Sequence, residues 1–362
     1  MMMENWALEI ARADIRLAEC AAVKPRNLTH GEARLKIDSF ALTANNITYA
    51  AFGDIMRYWD FFPASEASKG RLPVWGFAEV SESRHPDLPV GDRIYGYFPA
   101  ASELIVSPAK VTAAGFTDAS DHRSALPPAY NRYIRCAGDA GYDPALEAEQ
   151  MVLQPLFLTG WLLARYLREA GAFGASRVYL TSASSKTAIG MAHCLRDEPL
   201  YGVKICALTS SGSSEFVAGL GLYDEVHLYS DIDRLPAGRP SMMVDFAGDA
   251  TVNRDVHSRL GDQMKANIRV GGAHWEHSAP AQNLPGPKPV FFFAPDHMEK
   301  AREALGPGGF QAAYSKDWSA FAASARNWLT FHEFRGPQAC LDIYNKLIAG
   351  DALARDGLTI RP

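Results

Sequence analysis

Along the first hundred residues, apolar and polar positions alternate. In "GEARLKIDSFALTANNITYA" the apolar side falls on Ala33, Leu35, Ile37 and Phe40, which is the two-residue period of a half-buried strand. "VWGFAEVSES", "VGDRIYGYF" and "ASELIVSP" repeat the pattern, with "PDLPVGD" as punctuation. Short strands between Gly- and Pro-bearing turns predict a barrel-like β module. From about residue 154 the rhythm changes. "PLFLTGWLLARYLREAG" predicts a helix, with Phe157, Trp161, Leu162 and Tyr166 available for packing. Predicted units then alternate: strand 177–182, helix 187–196, strand 203–209, helix 214–221, strands 225–229 and 241–246, helix 249–264, strand 267–271. "PVFFFAP" offers another strand, two helices are expected around 316–332 and 337–349, and "DGLTIRP" reads as a closing strand.

Strands alternating with helices imply a parallel sheet covered on both faces. Right-handed crossovers make that a doubly wound, Rossmann-like α/β fold. A chain of 362 residues is long for one core. The expected division is a β domain over 1–150, completed by part of 310–362, and a dinucleotide-binding domain over 151–300. Composition is ordinary for a globular protein, at 48% hydrophobic and 21% charged. A net charge of −5 gives no general attraction to nucleic acid. No window approaches the roughly 20 apolar residues that span a membrane. Glu4, Glu9, Arg12 and Asp14 interrupt the N-terminal segment. Five cysteines (20, 136, 194, 206, 340), odd in number and without close pairing, argue for a reducing compartment, so the expected location is the cytoplasm.

The turn after the strand at 177–182 is the candidate phosphate site. A dinucleotide fold normally places glycines there, so that the backbone can approach the pyrophosphate. Here Ala183, Ser184, Ser185, Lys186, Thr187 and Ala188 fill the turn, and Gly190 alone remains, where a helix must pack closely on a strand. Ser184, Ser185 and Thr187 offer hydroxyl donors, Lys186 a point charge, and the helix N-terminus its backbone N–H groups. An ordinary capped strand-to-helix turn has the same composition. "SKT" without the preceding glycines does not make an ATPase P-loop. The next strand ends in Thr209, Ser210 and Ser211. An NAD site carries an acid there to bind the ribose 2′-hydroxyl, and a neutral tip favours NADP instead.

In order, these elements resemble the medium-chain dehydrogenase/reductase superfamily. "VGDRIYG" is similar to its "GDRV" turn, "LGLYDEV" to the text before its third Rossmann strand, and "VDFAGD" and "IRVGGAHW" to its fourth and fifth strands. "NNITYA", "YWDFFP", "PVWGFAEV" and "SSKTAIG" resemble an uncharacterised, domain-of-unknown-function offshoot. The resemblance implies a quinone oxidoreductase fold, with a GroES-like β-barrel domain beside the Rossmann-like one. It also implies a cofactor contact at Gly271 and a homodimer paired through the "PVFFFAP" edge. The cysteine sets of zinc-dependent members are absent, so zinc chemistry is not expected. "HWEH" at 274–277 supplies only two histidines.

Zinc-free members of that superfamily reduce activated C=C bonds or quinones. The resemblance puts Tyr49 on the floor of the expected cleft as proton donor, with Asn46 beside it to orient a carbonyl or the ribose. A packed, purely structural Tyr49 and an Asx turn at Asn45–Asn46 are the alternatives. Arg123, in "DHRSALPPAYNRYIRC", suits either a substrate carboxylate or phosphate, or a salt-bridged linker between domains. The leading expectation is an NADPH-dependent, zinc-independent reductase of a small-molecule quinone or activated alkene. The alternative is a nucleotide-binding sensor or interaction protein on the same fold.

Overall fold

A computed structural model describes residues 5–270 and 284–362. The chain divides into two compact units, one of Met1–Val152 with Leu329–Pro362, the other of Leu153–Trp328.

The first unit is built on strands. They are β1 (Trp6–Ala11), β2 (Ala18–Ala22), β3 (Ala33–Leu42), β4 (Lys69–Arg71), β5 (Pro73–Ser83), β6 (Arg93–Pro99), β7 (Glu103–Val106), β8 (Pro108–Thr112), β9 (Gly115–Asp118) and β10 (Arg132–Arg135). Strand β3 pairs antiparallel with β5 and β7, and β5 with β6. The alternating side chains Ala33, Leu35 and Ile37 are buried, as their period requires. At Leu42 the strand stops, and α1 (Ala44–Ala51) begins. "NNITYA" is therefore a helix and not the continuation of the strand. Asn46 Oδ1 accepts from the Thr43 backbone N–H (2.7 Å) and from Thr43 Oγ1 (3.2 Å), and the Asn46 N–H donates to the Thr43 carbonyl. This local cap competes successfully with the strand pattern.

The segment 121–136 is not a linker between units. Its β10 pairs with β6 and β9 inside the β module.

The second unit begins in α2 (Glu147–Glu169), two turns earlier than the sequence predicts, with Pro155 inside the helix. Then come β11 (Arg177–Leu180), α3 (Lys186–Asp197), β12 (Lys204–Thr209), α4 (Ser214–Gly219), β13 (Glu225–Leu228), β14 (Ser241–Asp245), α5 (Ala250–Leu260), β15 (Met264–Arg269), β16 (Val290–Phe291) and α6 (Ala294–Ala325). The sheet order is β13-β12-β11-β14-β15-β16, and every pairing is parallel. The strand order reverses between β11 and β14, which is the switch point of a doubly wound sheet. Both fold expectations, a Rossmann-like sheet and a separate β module, hold.

The boundaries differ where glycines act. Helix α5 ends at Leu260 because Gly261 adopts φ 49°, and β15 starts at Met264 rather than 267. Helix α6 starts far before 316 and bends at Gly306, whose φ is 69°. It packs through aromatic rings on α2, with Phe157 against Phe321 at 4.6 Å and Trp161 against Phe310 at 5.5 Å.

The chain then returns to the first unit as β17 (Thr330–Arg335), α7 (Gly336–Ile348) and β18 (Asp356–Arg361). Strand β18 pairs antiparallel with β3 and parallel with β17. The start of β17 falls inside the helix predicted at 316–332. Among the described residues, no helix is long and apolar enough to cross a membrane.

Candidate functional site

The glycine-poor turn lies at the carboxyl end of β11, beside the switch point. Its backbone turns sharply at Ser182, a non-glycine residue at φ 44°. Such a conformation costs on the order of 1–3 kcal/mol and persists only where neighbours hold it. Two tyrosines hold it here. The Ser182 N–H donates to Tyr229 Oη (2.7 Å), and Tyr223 Oη donates to the Ala183 carbonyl (2.7 Å). The Ala183 N–H reaches the Leu208 carbonyl of β12 at 3.3 Å. Ser185 then caps α3, its Oγ accepting from the Ala188 N–H at 3.3 Å. By helix geometry, the N–H groups of Lys186 and Thr187 have no acceptor inside α3. Ser184, Ser185, Lys186 and Thr187 are all half-buried.

Gly190 faces helix α2 rather than a strand. A Cβ there would lie 3.2 Å from the Phe157 ring. Gly160 of α2 makes the reciprocal approach, where a Cβ would stand 2.6 Å from Met191 N and 2.8 Å from the Thr187 carbonyl. Two glycines therefore set how closely α2 supports the first turn of α3.

At the switch point itself, Thr181 and Asp245 tie β11 to β14. Thr181 Oγ1 donates to Asp245 Oδ1 (2.7 Å) and accepts from the backbone N–H groups of Phe246 (2.9 Å) and Ala247 (3.1 Å). Burial raises the Asp245 pKa, and the hydrogen bonds from Thr181 and Gly248 oppose the rise. Asn253 donates to the other Asp245 oxygen, and Asn267 Nδ2 bridges Asn253 Oδ1 (2.7 Å) and His257 Nε2 (2.8 Å).

Thr209 is buried at the end of β12, while Ser210 and Ser211 are exposed on the turn that follows. No carboxylate stands within the stretch Thr209–Ser214. Gly271 and "HWEH" lie outside the described residues.

In the first unit, Tyr49 is 6% exposed and belongs to an aromatic cluster. Its ring stands 4.6 Å from that of Tyr58 and 5.7 Å from that of Tyr97, and Tyr130 lies 4.8 Å from Tyr97. Burial, and then the neighbouring Tyr130 hydroxyl, push the Tyr49 pKa above the ordinary phenol value. Side-chain hydrogen bonding with Trp75 and Asn45 opposes that rise. Tyr97 Oη is buried without a hydrogen-bond partner.

Asn46 does not face a ligand with a free amide. Its oxygen is taken by the α1 cap, and its Nδ2 donates to the Pro73 carbonyl (2.8 Å), which fixes α1 against the start of β5. Arg123 is 1% exposed and pairs with Asp118 Oδ2 at 2.7 Å. It also donates to Tyr133 Oη (2.9 Å) and to the Tyr130 carbonyl (3.0 Å). It is a core residue that braces the aromatic cluster, not a docking cation.

Among the described residues, Cys206, Glu225 and His227 bring potential metal-ligand atoms within 4.8 Å of one another. Glu225 is already held by Arg177 and by Lys204 (2.8 Å), so a divalent ion would meet two cations there.

The sequence reading missed Tyr223, Tyr229, Thr181 and Asp245. Tyr223 stands in "LGLYDEV", the text that resembles the run before the family's third Rossmann strand, and its large phenol there was the available signal.

A search of curated proteins gave no match. Solved structures similar to this chain include the yhdH oxidoreductase from Salmonella enterica in complex with NADP, at 14% identity over 99% of each chain and a TM-score of 0.53. CurA from Vibrio vulnificus in complex with NADPH is 12% identical over 95% of this chain and 94% of that one, with a TM-score of 0.58. The quinone oxidoreductase from Coxiella burnetii is 12% identical over 99% of each chain, with a TM-score of 0.55. These likenesses show the fold alone, which is the one implied by the sequence resemblance to the medium-chain dehydrogenase/reductase superfamily. The model of a family described as "Protein of unknown function (DUF2855)" matches residues 40–352, and the chain belongs to that family.

Proposed function

We propose that the protein is a zinc-independent, NADPH-dependent reductase of a quinone or an activated C=C bond. The observation that carries this reading is the switch point. An all-parallel sheet reverses its strand order beside a capped helix N-terminus, and the neighbouring strand ends in a neutral Thr-Ser-Ser tip. NADP fits that donor set. Ser184, Ser185, Thr187 and the first N–H groups of α3 would hold the pyrophosphate, with Lys186 adding charge. Gly190 lets α3 sit close to its support, and Gly271 is the remaining proposed contact. Thr209, Ser210 and Ser211 would accommodate the 2′-phosphate. The similar yhdH and CurA structures, in complex with NADP and NADPH, support this choice of coenzyme.

In this reading the second unit binds the dinucleotide and the first unit acts on the substrate. When bound, the coenzyme supplies a hydride. Tyr49 gives the proton, Asn46 positions α1 and with it Tyr49, and the phenol-lined cluster receives the substrate oxygen. The unpartnered Tyr97 Oη supports an acceptor oxygen there, because a buried hydroxyl without a partner carries a desolvation penalty that such an oxygen would relieve. The protein acts in the cytoplasm on a small molecule. A sensor on the same fold is the second reading, favoured by the burial of Tyr49.

Titration of the protein with NADPH and with NADH, followed by turnover on a panel of quinones and enones, tests the proposal. Tighter NADPH binding and turnover are expected. Equal or tighter NADH binding would overturn the coenzyme assignment, and binding without turnover would favour the sensor. Ser210→Asp should reverse the preference by setting a carboxylate against the 2′-phosphate. Lys186→Ala should weaken NADPH binding by about 1–3 kcal/mol, read as a rise in Kd, and an unchanged Kd counts against the contact.

Edge strand β16 leaves Val290 58% and Phe291 54% exposed, an apolar edge that invites pairing. We expect a homodimer through it. Light scattering should give twice the 39.6 kDa chain mass, and a monomer at micromolar concentration would remove this expectation.

A further inference from the structure

Five cysteines are free, and two of them meet across nearly the whole length of the chain. Cys20 lies on β2 and Cys340 on α7, which packs against β1 and β2. Tyr344 Oη, one turn beyond Cys340, donates to the buried Ile15 carbonyl at 2.6 Å and pins the helix there. Cys20 Sγ lies 3.1 Å from the carbonyl of Pro337, in the first turn of the same helix and 317 residues away in sequence. Cys340 follows Pro337 by three residues on α7, and it is the neighbour that lowers the Cys20 pKa most. Cys20 is partly accessible, whereas Cys340 is fully buried. That asymmetry separates an attacking sulfur from a resolving one.

We propose that Cys20 and Cys340 form a peroxide-driven, reversible disulfide that clasps β2 to α7. The Cys20 thiolate attacks one oxygen of a hydroperoxide. The O–O bond breaks, an S–O bond forms, and hydroxide (or alkoxide) leaves. Cys20 is now a sulfenic acid, oxidised by two electrons, and the peroxide is reduced by two. Cys340 Sγ then attacks the Cys20 sulfur, the S–O bond breaks, and water departs with the Cys340 proton. A dithiol reductant returns both thiols. Cys340 favours the Cys20 thiolate, against burial and the Asp342 and Glu19 carboxylates, while burial holds Cys340 protonated. The remaining three cysteines, Cys136, Cys194 and Cys206, are buried and have raised pKa values, so oxidation should select this pair.

The test treats the full-length reduced protein with hydrogen peroxide, quenches it, and counts thiols after denaturation beside non-reducing peptide mapping. Five thiols should fall to three, with one linked peptide pair joining Cys20 to Cys340. The oxidised protein should unfold at a higher temperature, and dithiothreitol should reverse both changes. Cys340→Ala should leave Cys20 as a sulfenic acid that dimedone labels, and Cys20→Ser should abolish both the label and the link. If the Cys340 variants fold poorly, the wild-type mapping still decides. Five thiols retained, a link between two chains, or wild-type Cys20 labelled by dimedone as fast as in Cys340→Ala would each overturn the proposal.

Discussion

An Arg123→Leu variant is expected to lose about 3–5 kcal/mol of stability, read as a lowered urea or thermal midpoint. This is the scale for breaking a buried ion pair from one side. The loss arises mainly at Asp118, which is 2% exposed. Its Oδ1 keeps the Ser107 N–H, the Ser120 N–H and Ser120 Oγ as donors. Its Oδ2 faces Arg123 alone at 2.7 Å, so the substitution leaves a buried charge half unsatisfied. The guanidinium also lies over the Phe62 ring at 5.0 Å and the Phe61 ring at 5.4 Å, and leucine keeps some of that apolar contact. Adding Asp118→Asn to Arg123→Leu removes the stranded charge and should recover part of the loss. A single variant within about 1 kcal/mol of wild type would mean that the pair contributes little to stability.

Tyr49→Phe is expected to lower turnover by on the order of 10²-fold while leaving the NADPH Kd unchanged, the lower end for losing a general acid. Phenylalanine preserves the ring contacts with Tyr58 and Tyr97. The alkaline limb of the rate profile carries a second signature. An unperturbed phenol ionises near about pH 10. Burial raises the Tyr49 pKa, so the protonated donor persists above that pH, and turnover should not fall there through loss of this proton. A fall near the ordinary phenol value, absent in Tyr49→Phe, would show that the phenol is solvated during catalysis. A turnover change of less than tenfold would assign proton delivery to water.

The sheet of the second unit was legible in the sequence because its strands are short apolar runs between capped helices. Val178, Tyr179 and Leu180 are completely buried, as a strand covered on both faces requires. The turn at 183–188 was legible as a position but not as a structure. Composition shows that glycine is missing; it does not show that Tyr223 and Tyr229, some 40 residues later, hold the strained Ser182 backbone. Asn46 misled for the opposite reason. Its amide looked available, yet a neighbour three residues away and Pro73 claim it, and such caps depend on backbone geometry that periodicity does not encode. Arg123 resembled a ligand cation because its partner, Asp118, is a buried residue on another element. The pairing of β17 with β18 was hidden because the helical pattern of α6 runs close up to it.

The return of the chain to the first unit sets an order of events during synthesis. Residues 153–328 are continuous, so the second unit can collapse as soon as it clears the ribosome. The β module cannot do the same. Strand β3 has β5 along one edge and β7 against residues 33–36 of the other early, but the end of that second edge at residues 40–42 stays open until residues 356–361 arrive to form β18. For the time needed to translate more than half the chain, the apolar end of β3, Phe40, Ala41 and Leu42, waits with unpaired backbone groups on that edge. The nascent protein is thus most exposed to chaperones, and to misassembly with its neighbours on a polysome, at Phe40, Ala41 and Leu42, which are buried once the unit is complete.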